Sequence, residues 1–194
     1  MEQSRVAEAK RQEAVWLNQD AVLALQELGL QVHSPKHDNH CGPQVCFAAQ
    51  HGGGFGTREQ SNHVRRDIAI LVFSKEVWTA DQLKLLTDYE VDSDDSATRW
   101  MKKYCGVDTK EWVDKSFMRM FAVKSGYDLL WIFTKGVLQS WDCHSLQETV
   151  MTSPTRAVLE STIFTGKRIL RCAHVDGNHW VYLSTTTQVH PLSN

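Results

Sequence analysis

The chain has 194 residues, 42% of them hydrophobic, enough to bury one core, so a single domain is the simplest organisation. A formal net charge of -2 and a pI near 6.5 leave no basic face for nucleic acid. Five scattered cysteines, with no signal peptide and no long apolar run, predict a protein of a reducing compartment, the cytoplasm, with neither a disulfide framework nor a membrane segment.

Residues 1–30 read as a helical segment, because Val6, Ala9, Val15, Trp16, Ala21, Leu23, Leu25 and Leu28 recur at helical spacing among charges and Gly29 is a stop signal. This segment is expected to pack on a core built by residues 31–194, which form the functional domain. The polar turn His37-Asp38-Asn39-His40-Cys41-Gly42-Pro43 then leads into Val45, Cys46, Ala48 and Ala49, an apolar stripe that predicts a buried helix. Pro43 suits the first turn of that helix, since the N–H it lacks has no helical partner there. Cys41 accordingly stands at the positive end of the helix dipole, where thiolate is favoured over thiol. Cys46, one turn further on, reads as an ordinary buried thiol.

His51-Gly52-Gly53-Gly54-Phe55-Gly56 lacks the Lys-Ser/Thr of a phosphate loop and reads as a mobile loop beside Cys41. Asn62 is the expected cap of a helix carrying Val64, Ile68, Leu71 and Val72. Thr79-Ala80-Asp81-Gln82 has capping-box spacing and opens a helix with Leu83, Leu86 and Tyr89. The acidic run from Asp88 to Asp95 reads as solvated surface. Further stripes predict helices at Trp100–Cys105 and, capped by Asp114, at Phe117–Ala122. Tyr127–Phe133 reads as a central strand with Val137–Trp141 as its hairpin partner, and the segment 143–166 as loops with a short strand near 158–164. Asp176-Gly177 is a hairpin signal between Arg168–Val175 and Asn178–Leu183. Alternation puts His179, Val181 and Leu183 on one face of the second strand and Trp180 and Tyr182 on the other. Cys143-His144 and Cys172-Ala173-His174 lack Cys-x2-Cys spacing, so no metal is expected.

These landmarks resemble those of the ovarian tumour (OTU) cysteine proteases. Asp38-Asn39-His40-Cys41 is similar to the family's nucleophile motif Asp-Gly-Asn-Cys, with Asn39, a residue that tolerates positive φ, where the family has glycine. His63-Val64-Arg65-Arg66 is similar to a His-x-x-Arg helix start, Trp112-Val113-Asp114 to a Trp-x-Asp element, and His179-Trp180 to the His-aromatic pair around the general base. The resemblance implies an α+β, papain-like OTU fold with a central, mostly antiparallel sheet flanked by helices and the catalytic cysteine at a helix N-terminus. It also implies a thiol-dependent deubiquitinase, without cofactor, acting on ubiquitin, polyubiquitin chains or ubiquitin-like modifiers. Its setting is the cytoplasm, which for a viral or bacterial-type member is that of the host.

In that reading Cys41 is the nucleophile, His179 the general base and Asp38 the third member, while Trp180, Asn39 and His40 bind substrate. Backbone N–H groups of the Asp38–Cys41 turn are the expected oxyanion donors, each worth about 3 kcal/mol. Val181 departs from the pattern, because many family members carry Asn or Asp there to orient the histidine. Asn178, Asp142 and Asp38 are the candidates to replace it, unless the site works as a Cys–His dyad. Cys41-Gly42-Pro43 with His179-Trp180 is also similar to peptidases that cut double-glycine leaders. A ubiquitin-binding module without turnover is the non-enzymatic alternative.

Overall fold

The computed structural model describes residues 26–27, 29–36, 38–72, 74, 78–106, 109–133, 137–152, 156–163, 168–175 and 179–185. Along the chain they form β1 (Leu30–His33), α1 (Cys41–Gln50), α2 (Arg58–Val72), α3 (Ala80–Leu86), α4 (Asp94–Cys105) and α5 (Lys115–Ser125). There follow β2 (Asp128–Phe133), β3 (Val137–Trp141), β4 (Glu148–Thr152), α6 (Arg156–Ile163), β5 (Ile169–Val175) and β6 (His179–Thr185). The strands join into one six-stranded sheet in the order β1-β6-β5-β2-β3-β4. Every pairing is antiparallel except that of β2 with β5, where the chain returns from the β4 edge through α6 and inserts β5 in the middle.

Strand alternation divides the apolar residues between the two faces of the sheet. Trp180 and Tyr182 of β6, with Leu129, Trp131 and Cys172, meet Cys41, Val45 and Cys46 of α1, Ile68 of α2 and Phe117 and Phe121 of α5 in the larger core. Val181 and Leu183 join Leu30, Leu130, Leu138 and Ala173 on the opposite face. Cys46 is a buried structural thiol, its Sγ 3.6 Å from Met118 Sδ. Among the described residues no helix is long and apolar enough to cross a membrane.

Several local expectations are corrected. The expected strand near 158–164 is helix α6, where Ala157, Leu159 and Glu160 favour helix. The unanticipated β4 is an edge strand, largely exposed, so burial imposes no alternation that the sequence could display. β1 was also unanticipated, and it starts at Leu30, so the expected domain boundary between residues 30 and 31 passes through a strand. Most of the apolar stripe of residues 1–30 lies outside the described residues. Helix α2 begins at Arg58 rather than after Asn62: Thr57 Oγ1 accepts the Gln60 N–H at 3.3 Å, while Gln60 Oε1 accepts that of Thr57 at 2.7 Å. The glycine run begins at the far end of α1 from Cys41, about 15 Å away along a ten-residue helix, with Gly52 and Gly53 at φ 77° and 99°.

Candidate active site

Cys41 is the first residue of α1, and its neighbourhood is made by four separate parts of the chain. The preceding turn closes on itself: the Asp38 carbonyl accepts the Cys41 N–H at 3.1 Å, and the Asp38 carboxylate accepts the His40 N–H at 2.8 Å. This is how an aspartate shapes a turn two residues ahead of it. Asn39 donates its side-chain amide to the Thr109 carbonyl, and its own carbonyl accepts from the Arg65 guanidinium. Arg65, fully buried on α2, also donates to the Tyr104 carbonyl and so ties the turn to the end of α4.

The third part is β6. Its second residue, Trp180, donates its backbone N–H to Cys41 Sγ at 3.4 Å, which sets the start of that strand, where His179 stands, against the helix N-terminus. The Trp180 indole N–H reaches the Val113 carbonyl at 2.8 Å, bringing in the segment before α5 as the fourth part. Gly42 lies between them. A Cβ there would fall 2.1 Å from Val113 Cγ2 and 3.3 Å from Trp180 Cδ1, so only glycine allows this approach.

His179 is 1% exposed, and its Nε2 lies 2.9 Å from Ser34 Oγ, one residue beyond β1. Of the groups expected to orient it, Asn178 lies outside the described residues. Asp142 accepts the N–H groups of His144 and Ser145 at the end of β3, and β2 and β5 separate that strand from β6. The Asp38 carboxylate is engaged within its own turn.

The electrostatics differ from the expectation of an activated thiolate. Burial pushes the Cys41 thiol up to about 12, against the pull of the Trp180 and Gly42 N–H groups and the more distant Arg65 charge, with the Asp38 carboxylate adding to the rise. Desolvation outweighs the N–H groups that face the sulfur because Cys41 is only 1% exposed. His40 is also buried rather than turned to a cleft, and burial, followed by the Arg65 charge, lowers its pKa. Neither of its ring nitrogens has a hydrogen-bond partner among the described residues. Trp180, expected to line the cleft, has its ring in the core under α1. Asn39 does not have positive φ; among the described residues the non-glycine ones that do are Asp88, Tyr89 and Leu146.

The structure thus brings Cys41, Asp38, Asn39, His40, Trp180 and the start of the His179 strand into one place, with Trp180 and His40 as packing groups. Ser34 is not singled out from sequence, and Val113, Gly42 and Arg65 stand there only as members of motifs, without a role of their own. The His-x-x-Arg pattern runs from His63 to Arg66, both exposed, whereas Arg65 inside it is buried. Among the described residues no group of three or more His, Cys, Asp or Glu side chains could hold a metal.

No protein-family model matches the sequence, and no curated protein matches it. Solved structures do. One is an OTU deubiquitinase from Wolbachia pipientis wMel, with a TM-score of 0.58 and 12% identity over 81% of this chain and 89% of that one. Another is an OTU deubiquitinase from the same organism bound to ubiquitin, with a TM-score of 0.55 and 11% identity over 81% of this chain and 96% of that one. At such identity the likeness shows the fold, which is OTU-like.

Proposed function

We propose that the protein is a cysteine-type deubiquitinase that hydrolyses the peptide or isopeptide bond after the C-terminal glycine of ubiquitin. The observation that carries this reading is the Trp180 N–H on Cys41 Sγ, because it sets a histidine-bearing strand against a cysteine at a helix start. The OTU-like fold and the ubiquitin-bound neighbour support ubiquitin as the partner. The same chemistry extends to modifiers that end in a similar tail.

In this reaction the Cys41 thiol gives its proton to the His179 imidazole, and the sulfur attacks the glycine carbonyl. His179 then protonates the departing amine, and water releases the thioester. Because Cys41 is covered and the N–H groups of Asp38, His40 and Cys41 are engaged within the turn, the substrate tail has to open the turn. Opening frees N–H donors for the oxyanion and returns the sulfur to a medium in which thiolate is affordable.

The covered sulfur also favours a second reading, a ubiquitin-binding module without turnover. Ubiquitin carrying a C-terminal electrophile separates the two. With a deubiquitinase the adduct forms, is lost in Cys41→Ala, persists in Cys46→Ala, and slows by about a hundredfold in His179→Ala. Binding without an adduct would leave the module. Neither binding nor adduct would point to other papain-like peptidases, including those that cut after a double glycine.

A further inference from the structure

We propose that Ser34 is the positioning residue for His179, in place of the carboxylate or amide that Val181 cannot supply, through the contact between its Oγ and Nε2. The inference rests on the reading of His179 as the general base. The β1–β6 register pairs Val32 with Leu183 and His33 with Tyr182; one further step sets Ser34 opposite Val181, two residues along from His179 on the same face. A group missing from one strand is therefore supplied by its neighbour, 145 residues away in sequence, at 2.9 Å.

The direction of the bond follows from the hydroxyl's other contact. The Pro35 carbonyl, 3.3 Å from Ser34 Oγ, offers the hydroxyl's single hydrogen an acceptor, and a hydrogen assigned there leaves a lone pair for Nε2. Nε2 then carries the hydrogen of the neutral ring, and Nδ1 keeps the basic lone pair. When Nδ1 takes the proton of the Cys41 thiol, the S–H pair of electrons stays on sulfur, and the new imidazolium still donates from Nε2 to Ser34. Nδ1 later passes that proton to the leaving amine, so the hydrogen on Nε2 is never exchanged in the cycle. A hydroxyl fixes orientation and tautomer without adding negative charge.

The test uses the full chain labelled with 15N at histidine. Two-bond proton–nitrogen correlation spectra of the wild type at pH 8 should show His179 as the Nε2–H tautomer, assigned by the peaks lost in His179→Gln. Ser34→Ala should mix the tautomers and lower kcat for a fluorogenic ubiquitin substrate by about tenfold or more while KM stays within about twofold. Ser34→Thr, which keeps the hydroxyl, should restore both. An Nδ1–H tautomer in the wild type would overturn the proposal, as would Ser34→Ala leaving tautomer and kcat unchanged, or Ser34→Thr failing to restore the tautomer. A wild type that turns over no ubiquitin but shows the stated tautomer and its loss in Ser34→Ala would sustain the positioning and sink the ubiquitin reading instead.

Discussion

Gly42 has no side chain, yet it sets how closely α1 approaches the residues around it. The Cβ of alanine would overlap Val113 Cγ2 at 2.1 Å and stand 3.3 Å from Trp180 Cδ1, so a buried neighbour has to shift. Gly42→Ala is therefore expected to destabilise the fold by about 1–3 kcal/mol, read as a lower urea midpoint with unchanged slope. The same change should push Cys41 away from the Trp180 N–H, so the adduct rate should fall even where the chain remains folded. An unchanged midpoint would show that Val113 can move aside. Little of this was legible from sequence: Cys41 announced itself through the polar turn and Pro43, but Val113 and Trp180 meet Gly42 only after the chain has folded. Ser34 was equally silent, since a lone serine beyond a short strand carries no pattern.

Among the elements, the capping signals of α3 and α5 are legible in the sequence, whereas the Thr57–Gln60 box that opens α2 stands before the expected cap Asn62. Thr79 caps α3 with the expected box, and Gly126 ends α5 in the left-handed conformation. Asp114 caps α5 by accepting the Ser116 and Phe117 N–H groups at 2.9 and 3.3 Å, and it also accepts the Tyr104 hydroxyl at 2.7 Å. Removing it uncaps one helix and leaves the hydroxyl of the buried Tyr104 on another without that acceptor. Asp114→Ala is expected to cost about 2 kcal/mol, the upper part of the capping range, whereas Asp114→Asn should recover much of it; equal losses in chemical denaturation would show that the charge rather than the cap matters. The acidic run has a similar structural account. Ser93 caps α4, Asp94 and Asp95 occupy its first turn, and Asp88 pairs with the buried Arg119, which also reaches Glu148 of β4 at 3.0 Å. Elements without such punctuation, β1 and β4 at the two edges and the short helix α6 that follows β4, are not legible because edge strands and short helices are decided by neighbours.

At the scale of the whole molecule, buried titratable groups make stability depend on pH from both sides. Burial pushes the thiols of Cys41 and Cys105 up to about 12 and that of Cys143 up to about 11, and raises those of Cys46 and Cys172 as well. In the unfolded chain these thiols ionise near 9, so above that pH the unfolded state binds fewer protons than the folded one and stability falls. Burial is also the main reason that His40 and His174 sit below their ordinary value of 6.5. The unfolded chain therefore takes up protons first on acidification, and stability falls again below about 6.5. Thermal melts from pH 5 to 11 should give the highest Tm between about 7 and 8.5, and a Tm that keeps rising above pH 9 would contradict the buried-thiol account. The sequence by itself determined that Cys41 opens a helix, that β5 and β6 form a hairpin and that His179 begins the second strand, because caps, turns and alternation act over a few residues. Only the tertiary structure decided what completes the site: Ser34 meets His179, Arg65 holds the turn before Cys41 and Val113 packs on Gly42, each from another part of the chain. Desolvation depends on everything packed around a group, so it could override a helix dipole that the local sequence had made visible.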